Sequence, residues 1–350
     1  MFYRICRKGN KDIEVENTNT NSRNITIDII RGIAVIAVLI AHSEQRALYH
    51  EGILYPDDIL TRLIYPWYMP VFVFASGYIL GIKGQFKLWR KFKHLVYPTF
   101  IWSIILWGIH DFDFVGIKWY FDFDSYSFGQ YIRMLLINPV YVIWFLWVIF
   151  ICTAVVALCH NIIEKITGKN VQGNELYVII LVGTCFVLIS DLKYSQWFGI
   201  RRIAEYWVYF VAGYGLYSIG GGVKYYLHKI VRMEVVICVL IKVFSCIGII
   251  FIEDVRIDTW LGMGVVYLSS YQFVCNRDKD IVMLLAKILS WLGRNSLSIY
   301  LFQLVCLNVG YGSGAIRIAT IFISSTFFSV VMTLIVKQSK FLSAVLLGEI

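Results

Sequence analysis

DIIRGIAVIAVLIAH, residues Asp28 to His42, sets an acid, an arginine and a histidine into the first long apolar run of the chain. Charge is costly at membrane depth, so an ionisable residue there is by default a functional-site hypothesis. Arg31 and His42 are eleven residues apart. At about 100° per residue, eleven steps return a helix to within roughly 20° of its starting direction, about 16 Å further along. The two side chains therefore share one face at two depths. Asp28 precedes Arg31 by three residues and is its neighbour on that face.

Outward from this stretch the chain stays apolar. Of its 350 residues 59% are hydrophobic and only 16% are charged, and the mean hydropathy is +0.68. An ordinary soluble chain is about a quarter charged. A soluble fold of this size could not hide so much apolar surface, so the membrane class follows before any motif is read. About ten stretches have the length and composition of a membrane helix: 25–43, 61–82, 95–110, 140–160, 175–190, 203–220, 231–252, 257–275, 294–310 and 315–337. The expected fold is an all-α polytopic membrane protein, a bundle of about ten transmembrane helices. Residues 1–24 are polar and show no short apolar run ending in a small-residue cleavage site. They are expected to be a cytoplasmic tail before an uncleaved first span, with 25–337 the membrane domain and 338–350 a second cytoplasmic tail.

Orientation follows from Lys and Arg. Arg4, Arg7, Lys8, Lys11 and Arg23 precede the first span, and Lys83, Lys87, Arg90, Lys91 and Lys93 follow the second. Lys224, Lys229 and Arg232 follow the sixth, and Arg277, Lys279 and Lys287 follow the eighth. All fall on one side if both termini are cytoplasmic. The opposite side then receives Glu44, Glu51, Asp57, Asp58, Asp111, Asp113, Asp122, Asp124, Glu253, Asp254 and Asp258. Lys193, Arg201 and Arg202 form the one discordant loop. The formal net charge of +9 is thus mostly a topology signal, and no nucleic-acid partner is expected. The eight cysteines fall mostly inside apolar runs without a CxxC or Cys/His cluster, so they read as packing residues and no metal site is expected.

Each motif has a plain reading beside a functional one. Arg31 suits a snorkelling anchor at the headgroups as well as a ligand for a reactant. His42 suits an interfacial histidine as well as a base. Ser76-Gly77 in the second span allows close backbone approach between helices. The basic run Lys83 to His94 retains the chain on the cytoplasmic side. Its Lys87, Arg90, Lys91 and Lys93 could also cradle the phosphates of a cytosolic cofactor. Trp144 opens a span at an aromatic interface. Glu205, early in another span, should face the bundle interior and find a partner, with Arg201 and Arg202 near enough to be one. Near the end, Arg294, Asn295, Ser296 and Ser298 cluster, and Asn295 could cap a helix. Walker, GxGxxG, HExxH and GxSxG patterns do not occur.

Taken together, the segments resemble the acyltransferase 3 family of integral-membrane O-acyltransferases, with fucose 4-O-acetylase-like members nearest. The resemblance covers nearly the whole chain. It rests on IDIIRGIAVIAVLIAH with Arg31 and His42, on MPVFVFASGY, on a basic segment leading to Tyr97-Pro98, on WFLW and on LGRNSLSIYLFQ. It implies about ten helices enclosing a site that takes an acyl group, usually acetyl, from acyl-CoA and passes it to a hydroxyl of a glycan or another acceptor. It implies His42 as the essential catalytic residue, Arg31 as a partner for the acyl donor or for site geometry, and the segment around Arg90 as the CoA-binding region. Lys91 and Lys93 stand where further arginines are usual in the family. The last motif often ends in His, whereas this chain has Gln303, so no proton transfer is assigned there.

The chemistry suits these residues. An imidazole with a pKa near 6.5 can take the proton of a sugar hydroxyl as it attacks a thioester. The oxyanion then needs donors, for which Ser76, Asn295 and backbone N–H groups are candidates. Alternatively His42 carries the acyl group covalently. Acetyl-CoA is expected as a substrate rather than as a resident cofactor. The competing reading is a transporter or flippase for a lipid-linked glycan, which a buried Arg, His and Glu set would also suit. Either way the expected place is the cell membrane, as a multi-pass protein.

Overall fold

A computed structural model of the chain describes residues 24–52, 59–83, 86–110, 112, 126–139, 143–168, 174–190, 197–218, 221–246, 255–276 and 279–349. Among these residues all regular structure is helical. The first 23 residues, and the loop charges Asp57, Asp58, Asp111, Asp113, Asp122, Asp124, Lys193, Glu253, Asp254 and Arg277, lie outside them.

Helix α1 runs Ile25–His50. Asn24 caps it, its Oδ1 accepting from the Thr26 and Ile27 backbone N–H groups, and Asp28 in the first turn suits the positive end of the helix dipole. The helix does not stop at residue 43 as its hydropathy suggests. Its last two turns are polar yet buried: Ser43 Oγ donates to the Leu39 carbonyl at 2.6 Å, and Arg46 donates to Asn308 Oδ1 with its guanidinium 5.9 Å from the Tyr49 ring centre. Glu44, expected in an outer loop, is therefore inside the helix and fully buried.

The second expected span is α2, Ile59–Ile64, and α3, Tyr68–Lys83, parted at Tyr65-Pro66-Trp67. The third is α4, Leu88–Lys91, a π-helical turn Phe92–Val96, and α5, Tyr97–Ile109, where Pro98 sits in the first turn and costs no hydrogen bond. There follow α6, Phe128–Ile137, α7, Trp144–Thr167, and α8, Asn174–Ser190. Next come α9, Ile200–Ser218, α10, Gly221–Cys246, and α11, Val255–Cys275. Among the described residues, five stretches are long and apolar enough to cross a bilayer: 25–49, 60–82, 88–109, 144–166 and 314–338. Between them α9, α10 and α11 carry more charge, and α8 is apolar but shorter.

The ninth expected span is where the structure departs most. Residues 294–310 are not one helix. Helix α12, Asp280–Arg294, ends at Asn295, and α13, Ser296–Gln303, is only two turns long. The Asn295 Nδ2 donates back to the Trp291 carbonyl at 2.8 Å. It closes the end of α12 instead of capping the start of α13. The chain ends in α14, Gly314–Gln338, and α15, Lys340–Leu347. The expected C-terminal tail is thus a helix laid back on the bundle, with Trp102 Nε1 donating to the Leu346 carbonyl at 2.8 Å.

Two helix pairs meet backbone to backbone at glycine. A Cβ on Gly293 of α12 would overlap the Asp28 carbonyl of α1, and one on Gly32 of α1 would overlap the Leu289 carbonyl. Gly77 of α3 lies in the same way on the Phe210 carbonyl of α9, and Gly213 of α9 on the Phe74 carbonyl. Without a solvent-driven hydrophobic force between helices in lipid, such close approach supplies the dispersion contacts that hold helices together.

Candidate active site

Helix α1 presents its two marked residues to the same neighbour. Arg31 Nη2 donates to Ser296 Oγ at 2.9 Å, at the start of α13. The His42 ring faces Tyr300 of α13, with ring centres 6.5 Å apart. Arg46 then meets Asn308, just beyond α13. The pairs Arg31–Ser296, His42–Tyr300 and Arg46–Asn308 ascend both segments in the same order. The break at Asn295 makes this possible, because it frees α13 from the line of α12 and brings its first residue to the arginine.

Around Arg31 lies a half-open cleft of about 510 Å³. Its walls come from Arg31, from His94 in the π-helical turn, from Trp291, Arg294, Asn295, Leu297 and Ser298 around the α12–α13 break, and from Lys337 and Glu349. Arg31, Arg294 and Lys337 give it a positive wall suited to phosphate oxygens: the guanidinium groups by bidentate pairing, the ammonium as a point charge. Glu349 occupies part of it. Its Oε1 is 3.2 Å from Lys337 Nζ and its Oε2 accepts from Ser343 Oγ at 2.9 Å. Gly348, at φ +63°, turns the chain there, where a Cβ would strike the Lys93 carbonyl. Sequence reasoning noted Arg294 and His94 without giving them a role, and missed Lys337 and Glu349. These residues join the site through contacts between distant segments, and no local pattern announces that.

His42 is not on the wall of this cleft. It lies deeper along α1, and its Nδ1 is buried with no hydrogen-bond partner among the described residues. Tyr300 continues the aromatic contacts away from it. Its ring is 5.8 Å from Phe145, which lies 5.5 Å from Phe72 of α3. Phe145 also lies 5.9 Å from Trp144.

The other expected site residues are distributed as follows. Asp28 is buried beneath α12, its carbonyl against Gly293. Ser296 is the Arg31 acceptor, and Asn295 lines the cleft. The Ser76 hydroxyl is turned onto its own helix, donating to the Phe72 carbonyl at 2.8 Å, and Gly77 serves the α3–α9 contact. Trp144 lies tilted against Tyr206, ring centres 4.9 Å apart, and under the Arg202 guanidinium at 5.3 Å. Glu205 pairs with Arg202 at 3.0 Å and Arg201 at 3.5 Å, at a partly exposed position. Lys87 and Arg90 are exposed and Lys91 is half-buried. Lys93 Nζ lies 5.3 Å from the Trp89 ring centre. The structure therefore brings together Arg31, Asn295 and Ser296, with His42 further along the same interface. Arg90 stays on the outer surface of the basic segment.

A profile of the acyltransferase 3 family, described as an acyltransferase domain, matches residues 24–338. Two curated relatives match over shorter stretches. Both are nodulation protein NolL, from Sinorhizobium fredii at 24% identity over 51% of this chain and 48% of the relative, and from Mesorhizobium japonicum at 24% identity over 38% and 35%. The chain spans about half the length of the first of these and about a third of the second. No solved structure matches the chain.

Proposed function

Because the chain belongs to the acyltransferase 3 family of membrane acyltransferases, we propose that it is an O-acetyltransferase of the cell membrane. It takes the acyl group from acyl-CoA and delivers it to a hydroxyl of a cell-surface or lipid-linked glycan. The observation that carries this reading is the positive cleft at Arg31, opening at one end of the helix that buries His42. Acyl-CoA is a large anion with its reactive thioester at the end of a long flexible arm. Arg31, Arg294 and Lys337 hold the phosphates near the membrane surface, and the exposed Lys87 and Arg90 raise the local concentration of the anion. The arm then lies along the α1–α13 interface toward His42.

At His42 the imidazole takes the proton from the acceptor hydroxyl as its oxygen attacks the thioester carbon. The carbon–sulfur bond breaks, and the CoA thiolate leaves and recovers the proton. A base requires the neutral form of the imidazole. The cleft faces the cytoplasm in this reading, as the basic segments around it require.

The test is release of free CoA thiol from acetyl-CoA by the purified protein in detergent, supplied with a lipid and glycan extract of the cells that make it. Turnover that disappears in His42→Ala supports the reading. A wild-type protein that leaves acetyl-CoA intact under these conditions overturns it in favour of transport.

A further inference from the structure

Gln303 ends α13 with a fully buried side chain, and neither Oε1 nor Nε2 has a hydrogen-bond partner among the described residues. A buried carboxamide left without either bond bears the desolvation cost of both its unmet groups. Natural folds retain such a group where a ligand or water completes it. Its position indicates which ligand. Gln303 is three residues after Tyr300, so the two share a face of α13, about 4.5 Å apart along its axis. Tyr300 faces His42, and Asn308 beyond it meets Arg46. Gln303 therefore lies on α13 between the His42 and Arg46 pairs. Nearby on α1, the His42 Nδ1 and the Arg46 Nε are also buried without a hydrogen-bond partner among the described residues. Unmet donors at Gln303 Nε2 and Arg46 Nε, an unmet acceptor at Gln303 Oε1 and an unmet imidazole nitrogen, carried by the two segments that these pairs join, are complementary to a polar reacting group.

We propose that the Gln303 carboxamide donates from Nε2 to the acyl carbonyl oxygen during transfer and stabilises the oxyanion formed there. This rests on the acyltransferase reading above. When the acceptor oxygen bonds to the thioester carbon, the C=O electron pair moves onto that oxygen, and the Gln303 N–H meets it. When the C–S bond breaks the pair returns, and the sulfur carries the electrons away as thiolate. Gln303 transfers no proton, and an amide, which does not titrate, is suited to that part. Of the side-chain donors offered by the sequence, the Ser76 hydroxyl is committed to the Phe72 carbonyl and the Asn295 Nδ2 donates to the Trp291 carbonyl.

Gln303→Met keeps the length and volume and removes the amide. CoA release should fall by about 10² to 10³ in kcat, the usual cost of one oxyanion donor, while the acyl-CoA KM changes little. Thermal stability in detergent should hold or rise, because an unmet buried amide is lost. Gln303→Asn, which keeps a shorter amide, should recover part of the rate. Unchanged kcat in Gln303→Met overturns the assignment. So does a rate loss accompanied by a lower melting temperature, which would make Gln303 a packing residue. A third measurement needs no variant. The infrared carbonyl band of bound acetonyl-CoA, a ketone analogue of the thioester, should lie below its position in an apolar solvent, and an unshifted band overturns the proposal. A wild-type protein inert toward acetyl-CoA is a separate outcome and removes the acyltransferase reading together with this one.

Discussion

Arg31 donates to Ser296 through one nitrogen of a planar fork and lines a cleft it shares with Arg294 and Lys337. Arg31→Lys keeps the charge and loses the fork. A hydrogen bond to a charged group is worth about 1.5–3 kcal/mol, so the acyl-CoA KM should rise at least about tenfold. A lysine variant with wild-type KM would make Arg31 an anchor only. His42→Ala should cost on the order of 10² to 10⁴ in rate without loss of expression, measured as CoA release per mole of folded protein. The face shared by Arg31 and His42 was legible from an eleven-residue spacing, because helix geometry is local. The partners of that face were not. Ser296 is 265 positions from Arg31, and Lys337 and Glu349 reach the cleft from the far end of the chain. The partners of Glu205 were legible, since Arg201 and Arg202 are within about one helical turn, but its side was not: it is exposed rather than turned to the bundle interior.

Two of the helices that pack on α1 do so for different reasons. Helix α12 meets it through glycine, and α13 through polar and aromatic side chains. Gly293→Ala would drive a methyl group into the Asp28 carbonyl, where only backbone can yield. We expect a loss of about 1–3 kcal/mol, seen as a lower melting temperature, with a matching fall in turnover as α12 moves off the Arg31 cleft. Gly108→Ala in α5 meets nothing within 4 Å and should be neutral or stabilising by up to about 1 kcal/mol. If both variants behaved alike, the close approach would carry no energy. The division at Asn295 escaped a hydropathy reading for a physical reason. Helix α12 is amphipathic, with Ile281, Leu284 and Ile288 exposed on one side and Asp280, Lys287 and Arg294 along its length. A search for uniform apolar runs passes over it and begins a span where the apolar residues of α13 start. The π-helical turn before α5 was equally silent, because FKHLV has no composition that separates it from an ordinary helix.

For the whole molecule, the proposed acyl-CoA role of the cleft turns on which side of the bilayer the cleft opens to. Arg31, His94, Arg294 and Lys337 surround one cavity, while Glu51, at the far end of α1, accepts from the Gly314 backbone N–H at the start of α14. Helices α1 and α14 therefore run in opposite directions, and the basic residues of the cleft lie at the end away from Glu51. In a protein freed of its native cysteines, Arg90→Cys should react with an impermeant maleimide from the cytoplasmic face only, while topology survives on Lys87 and Lys91. Reaction from the outer face would place the cleft away from the cytosolic acyl-CoA pool and refute the donor assignment. The distance in sequence between Arg31 and Ser296 also bears on how the protein is made. Chains grow at about 5–20 residues per second, so Arg31 waits roughly 13–53 seconds in the growing chain before Ser296 has been synthesised. During that interval a guanidinium near the start of a lone span can satisfy itself only by reaching to the headgroups. Its two roles are then stages of one history: Arg31 begins as the surface tether of the nascent helix and is recruited into the cleft when α13 emerges.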